Sequence, residues 1–180
     1  MRIIAGAWRG RRLTAPKGDA TRPTSDRTRE ALFSMLVSRL GSFEGLRFAD
    51  LFAGSGALGF EALSRGAVTC TFVEQDRPAL DALRANAAAL GVLRADVRAQ
   101  SVMALGPVSE AYDVLLLDAP YGTGAGGAAL DRLLRLGWLA PGALASVETS
   151  RDERVEVAGL ELLTERTHGQ ARLTLLRRPA

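Results

Sequence analysis

The chain is poor in the residues that most often carry metal, redox or membrane chemistry. Its 180 residues include one cysteine (Cys70), one histidine (His168) and one lysine (Lys17). A single cysteine excludes an internal disulfide and a thiolate metal site. Cys70 falls in an expected strand and reads as an inert core residue. No apolar run is long enough to span a bilayer. The stretch Met1 to Gly6 lacks the basic, then apolar, then small-residue layout of a signal peptide. The expectation is a soluble cytoplasmic protein. No internal repeat, low-complexity segment or interdomain linker appears. What is present is an apolar fraction of 47%, ample for the core of one domain at this length.

With Lys17 the sole lysine, positive charge rests on arginine, and it is unevenly placed. Arg2, Arg9, Arg11, Arg12, Lys17, Arg22, Arg27, Arg29 and Arg39 face only Asp19, Asp26 and Glu30 within residues 1–40, whereas the whole chain is only +3. Arginine binds phosphate bidentately and stacks on bases. A basic N-terminal segment on a mildly acidic body suggests a nucleic-acid arm, although a solvated surface has the same composition.

Met1 to Ala5 and Arg11 to Ala15 read as two short strands of a glycine-bearing hairpin, with Trp8 near its tip. Thr24 or Ser25 then caps a helix running to about Leu40, whose apolar face is Leu32, Met35, Leu36 and Leu40. Arg22, Arg27 and Arg29 cluster at its start, against the helix dipole. An anionic partner there is one expectation; Asp26 and Glu30 partly offset the mismatch without one.

From Leu46 the pattern alternates. Strands are expected at Leu46–Leu51, Val68–Glu74, within Val92–Ala99, at Tyr112–Leu117 and at Gly142–Glu148. Helices are expected at Ala57–Arg65, Pro78–Leu90 and Gly126–Leu136. The rhythm implies an α/β fold with a mostly parallel sheet covered on both faces. Three further strands, Arg154–Ala158, Glu161–Thr167 and Ala171–Arg177, have no helices between them and imply an antiparallel edge. Trp138 reads as core.

The loop after the first strand, Asp50-Leu51-Phe52-Ala53-Gly54-Ser55-Gly56-Ala57-Leu58-Gly59, carries G-x-G-x-x-G in a strand-to-helix context. There the pattern lets a backbone approach a nucleotide-like cofactor. Glu74 ends the next strand, where a carboxylate grips ribose hydroxyls. Asp50 lies just before the glycines. It would repel a pyrophosphate and suits a cationic group, so S-adenosylmethionine is favoured over a dinucleotide. Asp118-Ala119-Pro120-Tyr121 ends the fourth strand. Taken alone it also reads as an Asp-initiated proline turn leaving a sheet.

Asp50 to Gly59, Glu74 and Asp118 to Tyr121, in this order and spacing, resemble the class I S-adenosylmethionine-dependent methyltransferases. Asp118 to Tyr121 resembles the [D/N]-P-P-Y motif of members that methylate exocyclic or amide nitrogens. Arg2-Ile3-Ile4-Ala5-Gly6, Arg9-Gly10-Arg11, Arg22-Pro23-Thr24, Arg27 and Arg29-Glu30-Ala31-Leu32-Phe33 resemble the bacterial RsmD-type family. The resemblance spans nearly the whole chain and is weakest beyond Glu148. It implies a Rossmann-like, seven-stranded sheet with an antiparallel C-terminal edge and a hairpin extension. Residues 1–24 would form a basic RNA-binding extension and 25–180 the cofactor-binding domain.

It also implies methylation of the N2 amine of a guanine in 16S ribosomal RNA, naked or in an assembling 30S subunit, by a monomer that needs no metal. Asp118, Ala119, Pro120 and Tyr121 would be catalytic. Asp50, Phe52, Gly54, Gly56, Glu74 and Gln100 would bind cofactor. Arg9, Arg11 and Arg22 would contact RNA. Two positions depart from the family pattern. Ala119 replaces a proline, and Ala99-Gln100-Ser101-Val102 lacks the usual acidic residue for the adenine amine; the carbonyl of Gln100 is the nearest substitute.

The chemistry stands beside the resemblance. An exocyclic guanine amine is a poor nucleophile because its lone pair is delocalised into the ring. Two acceptors, the Asp118 carboxylate and the residue 119 carbonyl, would draw its nitrogen toward a tetrahedral geometry. A carbonyl needs no proline side chain, so Ala119 costs rigidity more than chemistry, and Pro120 still holds residue 119 extended. Tyr121 would stack on the base. No role in this chemistry is expected for His168. The alternatives are an enzyme acting on DNA adenine or protein glutamine, a catalytically inactive RNA-binding assembly factor, and a nicotinamide-dependent enzyme.

Overall fold

The computed structural model describes residues 1–17, 25–92 and 95–180. Helix α1 spans Asp26–Leu40. It starts where sequence capping rules place it: the Ser25 hydroxyl accepts the Thr28 N–H at 3.1 Å. Gly41, at φ 73°, ends it. There follow β1 (Arg47–Leu51), α2 (Ala57–Ser64), β2 (Thr69–Glu74), α3 (Arg77–Leu90) and β3 (Asp96–Ala99). Beyond a 3-10 turn at Val102–Ala104 come β4 (Tyr112–Asp118), α4 (Ala125–Arg135), β5 (Leu139–Ser150), β6 (Glu161–His168) and β7 (Ala171–Arg177).

The seven strands form one sheet in the order β3-β2-β1-β4-β5-β7-β6. The first five strands pair in parallel, and β7 lies antiparallel between β5 and β6. Chain order reverses between β1 and β4, which is where open α/β sheets leave a crevice at the strand carboxyl ends.

Two expectations are corrected. Arg154–Ala158 is not a strand. Val155 and Val157 are buried on alternate residues, but against the α4 side of the sheet. The place between β5 and β6, its neighbours in sequence, is filled by β7. The N-terminal hairpin is also thinner than two strands. Its ladder is the Arg2–Arg12 bridge with flanking bonds, among them Ile3 N–H to the Arg11 carbonyl at 2.9 Å.

Apolar side chains pack on both faces of the sheet. Phe33, Leu36, Phe48, Phe60, Phe72 and Leu173 lie in one cluster, and Leu115, Leu130, Leu133 and Trp138 in the other. Trp138 is fully buried, its Nε1–H donating to the Gly106 carbonyl at 2.9 Å, and Cys70 is buried in the first cluster.

The N-terminal segment shares that first cluster through Ile3 and Leu13, with Trp8 packed against it. Its main anchor is Glu61, wholly buried on α2. The Glu61 carboxylate accepts the Ile4 N–H at 2.8 Å, the Ala5 N–H at 3.1 Å and the Arg65 Nε–H at 2.9 Å. The Nε of Arg29, also wholly buried, lies 3.7 Å from it. Arg29 further bonds the Asp26 carboxylate at 3.0 Å and the Arg2 carbonyl. The anionic partner expected at the start of α1 is thus internal for Arg29, while Arg27 is exposed. Gly6 is required where the hairpin meets α2. A Cβ there would stand 1.9 Å from the Ser64 carbonyl oxygen. Among the described residues no helix is long and apolar enough to cross a membrane.

Candidate active site

A cleft of about 670 Å³ opens at the β1–β4 switch point. Asp50, Phe52, Gly54, Glu74 and Gln100 line it, and so do Asp118, Ala119, Pro120 and Tyr121. The loop after β1 and the tetrapeptide at the end of β4, far apart in sequence, therefore share one cavity.

Several lining groups are held by identifiable bonds. Gly54 adopts φ 58°, and its N–H donates to Glu74 at 2.8 Å. The other Glu74 oxygen accepts the N–H groups of Gln75 and Asp76, at 2.9 and 2.8 Å. Glu74 thus orders the glycine loop as well as facing the cleft. Phe52 is the one non-glycine residue among those described with positive φ, 60°. That conformation costs on the order of 1–3 kcal/mol and concentrates at functional sites. Here it presents the ring to the cleft wall. Gly56 stands behind the cleft wall. It does not line the cleft; a Cβ on it would strike the Phe60 ring at 2.5 Å. Its lack of a side chain serves packing of α2 on the sheet, as does that of Gly59, where a Cβ would lie 2.3 Å from Phe72.

Asp50 is 1% exposed. One carboxylate oxygen accepts the Gly59 N–H at 2.9 Å, and the other is buried without a hydrogen-bond partner among the described residues. Burial pushes its pKa well above the usual carboxylate range. The Gly59 bond opposes this, and the negative charges of Asp118 and Glu74 reinforce it. Asp76 also lines the cleft, and its carboxylate caps α3 through the Ala79 N–H at 3.2 Å. Four carboxylates and no arginine, lysine or histidine side chain occur among the described lining residues. This donor set suits a cationic ligand and repels a pyrophosphate.

Asp118 ends β4 in register with Glu148 of β5. The Tyr121 hydroxyl donates to the buried Glu148 at 2.9 Å. The turn beyond is tied down by Glu153, whose two oxygens accept the Gly122 and Gly124 N–H groups, both at 2.9 Å. Thr123 donates to the Pro120 carbonyl at 2.8 Å. Ala119 is 3% exposed, and a Cβ at Gly126 would lie 3.7 Å from its methyl, so α4 closes over the position that departs from the motif.

Of the arginines expected to contact RNA, Arg9 and Arg11 stand outside the cleft lining. Arg9 is exposed. Arg11 donates to the Ala89 carbonyl near the end of α3 at 2.6 Å. Arg22 lies outside the described residues. Sequence reasoning missed several participants. Met1, Ala15 and Pro16 wall the cleft from the N-terminal side. Asn86 ties them in, accepting the Thr14 N–H at 2.7 Å and donating to the Thr14 and Ser55 carbonyls, both at 3.0 Å. Glu148 and Glu153 carry no motif of their own; only their places near the end of β5 and just beyond it, beside β4, hint at them. Among the described residues no group of three or more His, Cys, Asp or Glu is arranged to hold a metal ion.

Sheet order, switch-point cleft and antiparallel edge together define the Rossmann-like fold of the class I methyltransferases. Residues 1–177 match the family model described as Conserved hypothetical protein 95. The protein named Ribosomal RNA small subunit methyltransferase D of Haemophilus influenzae is 39% identical over 175 residues, covering 94% of this chain and 89% of that one. The Escherichia coli protein of the same name is 37% identical over 183 residues, 100% of this chain and 91% of that one. The solved structure of yhhF from Escherichia coli superposes with a TM-score of 0.86 at 34% identity, covering 100% and 98% of the two chains. The chain belongs to this RsmD-type family.

Proposed function

We propose that this protein transfers a methyl group from S-adenosylmethionine to the exocyclic N2 amine of a guanine in 16S ribosomal RNA, free or within an assembling small subunit in the cytoplasm. The observation that carries the reading is the company Asp118 keeps. It shares a cleft with a buried Asp50 whose second oxygen is unbonded, and no basic side chain occurs in the described lining. Such a lining favours a sulfonium with an amino-acid end. The names of relatives 37–39% identical over nearly the whole chain support ribosomal RNA as substrate.

When bound, S-adenosylmethionine supplies an electrophilic methyl group. Asp50 would hold its positive amino-acid end, Glu74 the ribose and Gln100 the adenine amine, and Phe52 and Gly54 would form the wall beside it. Gly56 acts behind them, through packing. Asp118 and the residue 119 carbonyl would accept the two N–H groups of the guanine amine and orient its lone pair for the transfer, and Asp118 or water would take the proton that the amine loses. Pro120 keeps residue 119 extended, and Tyr121, steadied through Glu148, stacks on the flipped base. Positioning of this kind supplies much of the rate of an in-line displacement. Residues 1–24 serve the RNA through Arg9, Arg11 and Arg22, and residues 25–180 serve cofactor and chemistry.

The test uses purified protein, radiolabelled cofactor and four substrates: unmodified 16S ribosomal RNA, small subunits assembled on that RNA, DNA and bulk protein. Label enters the RNA alone, and Asp118→Ala lowers the rate by about 10²-fold or more while cofactor and RNA binding persist. Label in DNA or protein but not RNA would overturn the reading. So would RNA binding without any methyl transfer.

A further inference from the structure

A second cavity, of about 360 Å³, lies between α1 and the edge strand β6, lined by Ala31, Ser34, Met35, Ser38 and Arg39 from α1 and by Thr164, Arg166 and His168 from β6. Its polar groups are two guanidiniums, one imidazole and three hydroxyls, and no carboxylate contributes to the lining. None of these side chains makes a hydrogen bond or ion pair with another described residue, whereas the acidic residues of β6 are engaged. Glu165 pairs with Arg172, and Glu161 with Arg177 at 2.8 Å. Such a groove has the complementarity of an anion held by several donors at once.

Its place in the sheet links it to the active site. Asp118 of β4 is in register with Glu148 of β5, Glu148 with Leu173 of β7, and Leu173 with Arg166 of β6. Residues in register share a face of the sheet, so Asp118 and Arg166 belong to one row on the α1 face. Three strand spacings of roughly 4.8 Å put their backbones about 14 Å apart. The β6–β7 register shifts between Leu162 and Thr164. A one-residue bulge of this kind exchanges the faces of all residues beyond it. It is what turns Thr164, Arg166 and His168 toward α1.

We propose that the groove between α1 and β6 binds the phosphodiester backbone of the RNA substrate, flanking the target base. This rests on the reading of the substrate as RNA and extends it to residues other than Arg9, Arg11 and Arg22. At a rise of roughly 3.4 Å per stacked nucleotide, the 14 Å row spans about four nucleotides. Ser34, Ser38 and Thr164 donate to phosphate oxygens, and Arg39 and Arg166 supply the charge. These bonds carry no base identity; they fix register and orientation.

The experiment compares wild type with Arg39→Glu/Arg166→Glu, and with the paired lysine and alanine variants, for affinity toward unmodified 16S ribosomal RNA over a salt series. The glutamate pair weakens binding at least about tenfold, and the slope of log affinity against log salt falls by about two, one for each phosphate no longer neutralised. The lysine pair retains most of the affinity. Cofactor binding and thermal melting are unchanged, and the alanine pair gives the same reading should the glutamates impair folding. Unchanged affinity and slope in a folded variant overturn the groove alone. Loss of binding to assembled small subunits but not to free RNA points to a ribosomal protein and also overturns it. A wild-type protein that binds and methylates no RNA brings down the RNA reading, and the groove with it.

Discussion

Asp50 and Glu61 lie eleven positions apart, one before the glycine loop and one on the helix after it, and both are buried. They are used in opposite ways. Glu61 is saturated by two backbone N–H groups, Arg65 and the nearby guanidinium of Arg29, so its charge is spent joining α1, α2 and the N-terminal hairpin. Asp50 has one bond, from Gly59, and an oxygen with no partner among the described residues. A buried carboxylate with unsatisfied capacity costs stability. Asp50 lines the cleft, and on the proposed reading the open oxygen is kept for the bound cofactor. The lesson is that burial alone does not mark a functional acid; the balance of its partners does.

The largest expected effect lies on the structural side of that comparison. Glu61→Ala leaves Arg29 buried with only the exposed Asp26 as counter-ion, and the variant loses about 3–5 kcal/mol in chemical denaturation. A loss below about 1 kcal/mol would mean that Glu61 is no keystone and that the contrast with Asp50 is false.

Asp50→Asn sharpens the other side, with a smaller and mixed effect. The raised pKa means that the folded protein keeps a proton which the unfolded chain gives up. Stability of the ligand-free protein is therefore greatest below the ordinary carboxylate range. It declines as pH rises toward the folded pKa. Asparagine can still accept the Gly59 N–H and does not ionise. The variant should melt higher than wild type at neutral pH and lose the pH-dependent decline. Its affinity for S-adenosylmethionine should fall by about 1.5–3 kcal/mol, more than tenfold. Wild-type affinity in the variant would remove Asp50 from the cofactor site.

The alternation of strands and helices from β1 to α4 was legible because each element combines an apolar run with its own stop signal. Ser25 and Gly41 bound α1, and Asp76, with Pro78 in the first turn, and Gly91 bound α3. Legibility failed where burial and pairing part company. Val155 and Val157 alternate as a strand would, yet they are buried on the α4 side of the sheet and pair with no strand. It failed again for Arg29. The residue sits in a basic cluster in sequence, and besides the local Asp26 it has a second, wholly buried counter-ion, Glu61, from 32 residues downstream. The cleft itself was largely legible, since a glycine loop and a strand-end carboxylate announce themselves locally. The partners that hold it, Asn86, Glu148 and Glu153, are ordinary residues whose roles exist only in register and proximity.

The central claim is tested most directly by mass-spectrometric mapping of N2-methylguanine in 16S ribosomal RNA from cells with and without this gene, complemented by wild type or by Asp118→Ala. One guanine should lose its N2-methyl group when the gene is removed. The wild-type copy should restore it and the Asp118→Ala copy should not. An unchanged set of N2-methylguanines in the deletion strain would contradict the account.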